Sequence, residues 1–499
     1  MNAAHASTAQ LWNRDLAPTS AQQRTWRWYH YSALWIGMVM CVPAYTLAAG
    51  LVGAGMSAGE AIMTVTLGNL IILVPMLLIG DAGARYGIPY AVLVRSSFGT
   101  LGGRLPAVLR ALVACGWYGI QSWFGGLMIY ALIGVVIGHP LAAAPLPVLG
   151  INLWQAGCFL LFWLLQFYFI VHGIDSIRRL ETYTAPLKVL ICVLLLIWAY
   201  DKAGGFGPIV DARSAFAPGG PRSGQFGAVF WPSLTAMVGF WSTLALNIPD
   251  FTRFAKTQRY QVVGQAIGLP APMGLLAALA VFVTSATVVI YGKAIWDPVT
   301  LAGRMTGAAV LVGLLVLLVD TISVNLAANL VGPAFDFSAL WPRRISYRTG
   351  GYITAVVAVA MMPWKILAST HGYILTWLDG YSALLGAIAG ILIVDYYLVR
   401  RRVLDLEALY REAGGCYHYR GGWNPVAVAA FLIGVVPCLP GFLHVSLPQT
   451  FPDTSAFFTH LYSYAWFVAL GLAGLAYALG MSLTGRAAPQ PLAVPAQPA

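Results

Sequence analysis

The chain is 499 residues long, 59% hydrophobic and only 9% charged, against about half apolar and about a quarter charged in an ordinary soluble domain. That balance excludes a soluble fold, which could not hide so much apolar surface from water. The net charge of +11 would suit a nucleic-acid partner only if the basic side chains shared one face; they are instead spread over short loops, which excludes that partner too.

In chain order, residues 1–28 are polar, lack the apolar core of a signal peptide and are expected to form a cytoplasmic N-terminal segment. Apolar runs of membrane-spanning length, about 20 residues, then recur without a long polar linker. They lie at 29–53, 58–79, 106–137, 152–172, 184–200, 226–247, 261–291, 308–331, 350–369, 373–398, 424–443 and 457–481. The expectation is an all-α polytopic membrane protein of about twelve transmembrane helices, ending in a disordered tail rich in Pro and Ala at 482–499. Basic residues follow every second run. Arg85, Arg95, Arg104 and Arg110 follow the second, Arg178, Arg179 and Lys188 the fourth, and Arg253, Lys256 and Arg259 the sixth. Arg343, Arg344 and Arg348 follow the eighth, and Arg400, Arg401, Arg402 and Arg411 the tenth, while loops such as 139–152 and 444–454 carry almost none. This alternation predicts a cytoplasmic (inner) membrane protein with both termini in the cytoplasm.

Two runs are interrupted at comparable places. The first has Val42-Pro43 followed by Ala48-Ala49-Gly50, and the sixth has Gly239 followed by Asn247-Ile248-Pro249. Paired interruptions point to an inverted-repeat transporter with its site at the membrane midplane, although proline alone is common in membrane helices.

Several residues stand out chemically. Trp117 and Gln121 are four apart on one helical face. An indole can stack on a flat ring, and an amide can both donate to and accept from that ring's N–H and C=O groups. Trp241 could supply a second aromatic wall, and Asn329 a second mid-membrane amide. The alternative for each is helix packing or an interhelical hydrogen bond. Asp320, with Thr321 and Ser323, places oxygens in mid-membrane, where a carboxylate marks an ion or proton path; a structural hydrogen bond is the competing role. Asp379 lies nearer a possible bend and is the weaker candidate. Cys41, Cys115, Cys158, Cys192, Cys416 and Cys438 show no CxxC spacing, and the histidines from His30 to His460 are scattered near helix ends, so no metal site is expected. A phosphate-cradling glycine loop and a catalytic constellation are both missing, which excludes a nucleotide-driven pump and weighs against a membrane-embedded enzyme. Too few polar residues line the helices for a channel.

The motifs carry a resemblance over nearly the whole chain. Asn13-Arg14-Asp15-Leu16-Ala17-Pro18, Arg85-Tyr86-Gly87-Ile88-Pro89 with Arg95-Ser96-Ser97-Phe98-Gly99, and Gly116-Trp117-Tyr118-Gly119-Ile120-Gln121-Ser122-Trp123 come first. Asn247-Ile248-Pro249-Asp250-Phe251-Thr252-Arg253 and Asp395-Tyr396-Tyr397-Leu398-Val399-Arg400-Arg401 follow. In this order they resemble the nucleobase:cation symporter-1 family, which includes hydantoin, allantoin, uracil, cytosine and purine permeases. The resemblance implies a LeuT-like five-plus-five inverted repeat, 29–203 and 204–398, then a loop with two further helices over 399–481.

It implies equally a site in which the substrate ring stacks between Trp117 and Trp241 and bonds to Gln121 and Asn329. Cys41 and Phe240 depart from the family's hydantoin permease, which has Gln and Gly there, and so favour a different small ring such as allantoin or uracil. The family's sodium ligands match Gly37, Met40, Asp320 and Ser323, but the second hydroxyl position is Val324. The coupling ion is therefore expected to be a proton taken by Asp320, or sodium, with no other cofactor. The expected partners are the heterocycle and the lipid bilayer, the chain acting as a monomer, with the tenth helix closing near Gly380. An amino-acid transporter of the same fold is the remaining rival.

Overall fold

A computed structural model describes residues 11–139, 141–172, 174–305, 308–367 and 376–484. Residues 1–10, the junction of the ninth and tenth expected spans with His371, and the tail from 485 lie outside the described residues, as do the side chains of Arg178 and Arg179.

Among the described residues nine helices are long and apolar enough to cross a membrane, and the pair Trp28–Val39 and Val42–Gly53, bent by 59°, makes a tenth. Ile174–Ala203 and Tyr347–Ala360 stand where the fifth and ninth spans are expected, which completes twelve. No strand forms among the described residues. Lipid offers no hydrogen bonds, so each span must satisfy its backbone internally, and helices do so. Leu153, Leu164, Val193, Ile197, Val312, Leu475 and Leu479 are exposed. In water such a belt would drive aggregation; in a bilayer it is solvated by acyl chains.

Three spans depart from regular helix, and together they make the site. The first breaks at Met40 and Cys41, one residue ahead of the expected Val42-Pro43, because Pro43 has no N–H to continue the ladder. Cys41 N–H turns back to the Val39 carbonyl at 2.8 Å, so the Gly37 carbonyl loses its helical donor. The sixth breaks at Trp241, between Phe226–Phe240 and Ser242–Asn247, two residues beyond the expected Gly239. The eighth runs beyond its expected end to Leu340 and contains a wide π turn over Leu326–Leu330, a distortion common at functional sites.

Two basic residues read as loop charges are buried inside the bundle. Lys188 lies within the fifth span, and Arg110 within the third. They fit among apolar runs because each has acceptors: Arg110 pairs with Asp336 of the eighth span at 3.1 Å, both side chains fully buried, and its Nε donates to the Thr243 carbonyl beyond the sixth break at 3.3 Å. Gly332 makes room, since a Cβ there would collide with the guanidinium. One ion pair thus fixes the third, sixth and eighth spans around the site. Asp250, just past the sixth span, accepts the Tyr90 N–H at 2.9 Å, and burial pushes its carboxyl up to about 6 against the pull of Arg110.

Removing one member of a buried pair strands the other charge. Asp336→Ala is expected to destabilise the protein by about 3–5 kcal/mol, seen as an early melting transition of the purified protein in detergent. Replacing both Arg110 and Asp336 by Met should recover most of that loss. A single variant as stable as the parent would show that the pair does not hold the three spans.

Candidate substrate and cation site

The two breaks and the π turn face one another across a narrow cleft. Trp117, Gln121, Trp241, Asn329, Cys41 and Phe240 all line it, with Thr243, Val324 and Ala328 filling the wall. All six of the residues singled out from the sequence are therefore brought together, and each is buried.

Each wall is positioned by an identifiable contact. Trp117 Nε1 donates to the Tyr381 hydroxyl at 3.1 Å, and that hydroxyl donates to the Gly239 carbonyl at 3.0 Å, so the tenth span ties the third to the sixth break. Trp241 stands edge-on to Trp35, with ring centres 5.2 Å apart. Phe240 is nearly perpendicular to both indoles, 5.0 Å from Trp117 and 4.9 Å from Trp241. Its ring narrows the slot that glycine would leave open.

On the eighth span, Asn329 donates to the Asn325 side chain at 3.0 Å. Asn325 in turn donates to the Tyr118 carbonyl, to Ser122 and to Gln166 at 3.1, 3.2 and 2.8 Å. Asn329 thus stands between a rigid amide network and the cleft. Two polar atoms at the cleft have no hydrogen-bond partner of proper geometry, Gln121 Oε1 and Trp241 Nε1; the Cys41 thiol is the protein group beside Gln121. A buried acceptor and a buried donor left open are costly unless a ligand completes them.

Beside this cleft lies the expected cation region. Gly37, Asp320 and Ser323 do converge, but on a side chain the sequence reading had left in a loop. Lys188 Nζ donates to the Gly37 carbonyl at 2.8 Å and to Ser323 Oγ at 3.3 Å, and stands 2.9 Å from Asp320 Oδ1 in an ion pair outside hydrogen-bond alignment. Thr184 Oγ1 is 3.0 Å from Ser323 Oγ. Met40 lies at the same break, where its thioether meets the Cys192 thiol at 3.5 Å. Val324, at the expected hydroxyl position, faces the substrate cleft. Asp379 is buried at the start of the tenth span with neither oxygen bonded, and it does not line the cleft.

Sequence reasoning missed Lys188, Asn325, Thr243 and Tyr381. Lys188 was findable: it falls within the apolar run 184–200, and Thr184 is four residues before it on one face. Asn325, four residues before Asn329, carried the same signal. Tyr381 and Thr243 had none, because nothing local marks a hydroxyl that meets a broken helix from another span.

Comparison with known proteins places the geometry in a family. Residues 18–469 match the family described as permease for cytosine/purines, uracil, thiamine, allantoin. The chain is 44% identical to the purine-uracil permease NCS1 of Arabidopsis thaliana over 95% of its own length and 78% of the relative's. It is 35% identical to the allantoin permease of Bacillus subtilis, covering 92% and 93% of the two chains. Its fold is similar to that of Mhp1, a nucleobase-cation-symport-1 family transporter solved in a closed conformation with bromovinylhydantoin bound, at a TM-score of 0.75 and 26% identity over 95% of this chain and 96% of that one. The chain belongs to the nucleobase-cation-symport-1 permeases, membrane transporters and not enzymes.

Proposed function

We propose that the protein imports a small planar nitrogen heterocycle, of the size of uracil or allantoin, by alternating access driven by a cation gradient. The observation that carries this reading is the open Trp241 Nε1 donor and the Gln121 Oε1 acceptor, whose protein neighbour is only the weakly donating Cys41 thiol, in a cleft lined by the Trp117 and Trp241 indoles. A ring with its own N–H and C=O groups satisfies both at once, and Asn329 adds a third amide. The names of the purine-uracil and allantoin relatives support the same class of substrate.

In this reading the ring enters from outside and stacks against Trp117 and Trp241. The tenth span then closes over it through Tyr381. The repeats 29–203 and 204–398 rock about the site, the segment 399–481 buttresses them, and one chain suffices. Both termini face the cytoplasm of an inner membrane, and coupling takes place at Gly37, Met40, Asp320 and Ser323, by a proton or by sodium.

The deciding measurement is uptake of radiolabelled uracil, allantoin and hydantoin by expressing cells that lack their own carriers. One ring should show saturable uptake, competed by the others and abolished in Trp117→Ala. Gln121→Ala should weaken it about 5- to 150-fold, the range for a buried polar group losing its partner. Uptake of none of the three, or a Gln121→Ala variant indistinguishable from the parent, would return the amino-acid reading to first place.

Phe240 sets the size limit. Phe240→Gly is expected to admit hydantoins bearing a bulky 5-substituent, which the parent rejects, and to weaken the parent's own ring by about tenfold through lost aromatic contact. An unchanged substrate range, read by competition against the labelled ring, would place the limit elsewhere.

A further inference from the structure

The cradle between the first and eighth spans already holds a positive charge belonging to the chain. We infer that the Lys188 ammonium fills the cradle that a sodium ion would need, so that the residues present there do not fit a free metal ion; this rests on the transport reading above.

The geometry is that of a built cation site. The Gly37 carbonyl, released from its helix by the break at Cys41, the Ser323 hydroxyl and the Asp320 carboxylate surround Nζ at 2.8, 3.3 and 2.9 Å. These are the oxygens a hard monovalent cation would use, and an ammonium is a compact cation with three donors. A second cation cannot share the space, both because Nζ fills it and because like charges at such a separation repel strongly. Val324 removes one further oxygen that a bare ion would need, a loss that matters less to an ammonium that keeps its own covalent tether.

While Nζ occupies the cradle it ties the first span to the fifth and eighth through Gly37, Ser323 and Asp320.

The test has two arms on the purified, full-length protein. The first needs no substrate: thermal stability is compared in sodium and in choline at equal ionic strength and pH. The parent should not respond, whereas Lys188→Ala, with its oxygens vacated beside Asp320, should gain a saturable rise of about 3 °C or more in sodium. The second uses proteoliposomes and the labelled rings named above. The parent should take up the ring equally well when sodium is replaced by choline. Sodium stabilisation of the parent, or uptake by the parent that requires sodium, overturns the inference. If none of the rings is carried, the substrate reading fails while the first arm still decides the cradle. If Lys188→Ala does not fold, the parent's response to sodium in both arms decides it.

Discussion

A helix interrupted inside a membrane exposes backbone groups that lipid cannot satisfy, and this molecule answers each interruption with a side chain from another span. The Gly37 carbonyl receives Lys188, the Gly239 carbonyl receives the Tyr381 hydroxyl, and the Thr243 carbonyl receives Arg110. Asn325, at the π turn, donates to the Tyr118 carbonyl of the third span. Every one of these bonds runs between different spans, so the breaks that create the site also lock together the helices around it. It follows that the proposed substrate and cation sites cannot be independent: both are built from the loose ends of the same first and eighth spans.

That dependence explains what could be read in the sequence. Trp117, Gln121, Trp241 and Asn329 were legible because large aromatic and amide side chains are conspicuous in apolar runs and because two of them share a helical spacing. The twelve spans were legible from run length alone. Lys188 and Arg110 were misplaced for one shared reason. A basic residue near the edge of an apolar run satisfies the loop-charge rule and the buried-pair possibility equally well, and only the partner decides. Those partners, Asp320 and Asp336, lie 132 and 226 positions away, on a span whose packing no local pattern reveals.

The substrate cleft shows a similar limit. Residue type points to the flat, amide-rich ligand proposed above, but the shape of the cleft depends on how Phe240 stands against two indoles at once, nearly perpendicular to both. The same residue lying flat on one of them would leave a different slot. Residue type fixed the chemistry here, and rotamer fixed the volume.

The motif at 116–123 carries Trp117 and Gln121 into the cleft, but most residues of the other motifs do a different job. Ser96 and Arg400 both bond Asp395 at 2.9 Å, Tyr477 donates to the same carboxylate at 2.7 Å, and Asn424 donates to the Ser97 carbonyl at 2.7 Å. Asn13 donates to the Pro342 carbonyl at 2.7 Å, Asp15 accepts the Tyr347 N–H at 3.0 Å, and Arg253 donates to the Ala17 carbonyl at 2.8 Å, strapping the N-terminal segment across the ends of the sixth and eighth spans. These residues form one polar clasp at the end of the bundle that carries the N-terminus. A clasp of interlocked hydrogen bonds tolerates little change, whereas a cleft can trade Gln for Cys41 or Gly for Phe240 and still close. The clasp and the cleft motif together mark the family, which is why long motifs in the right order could assign it without fixing the ring.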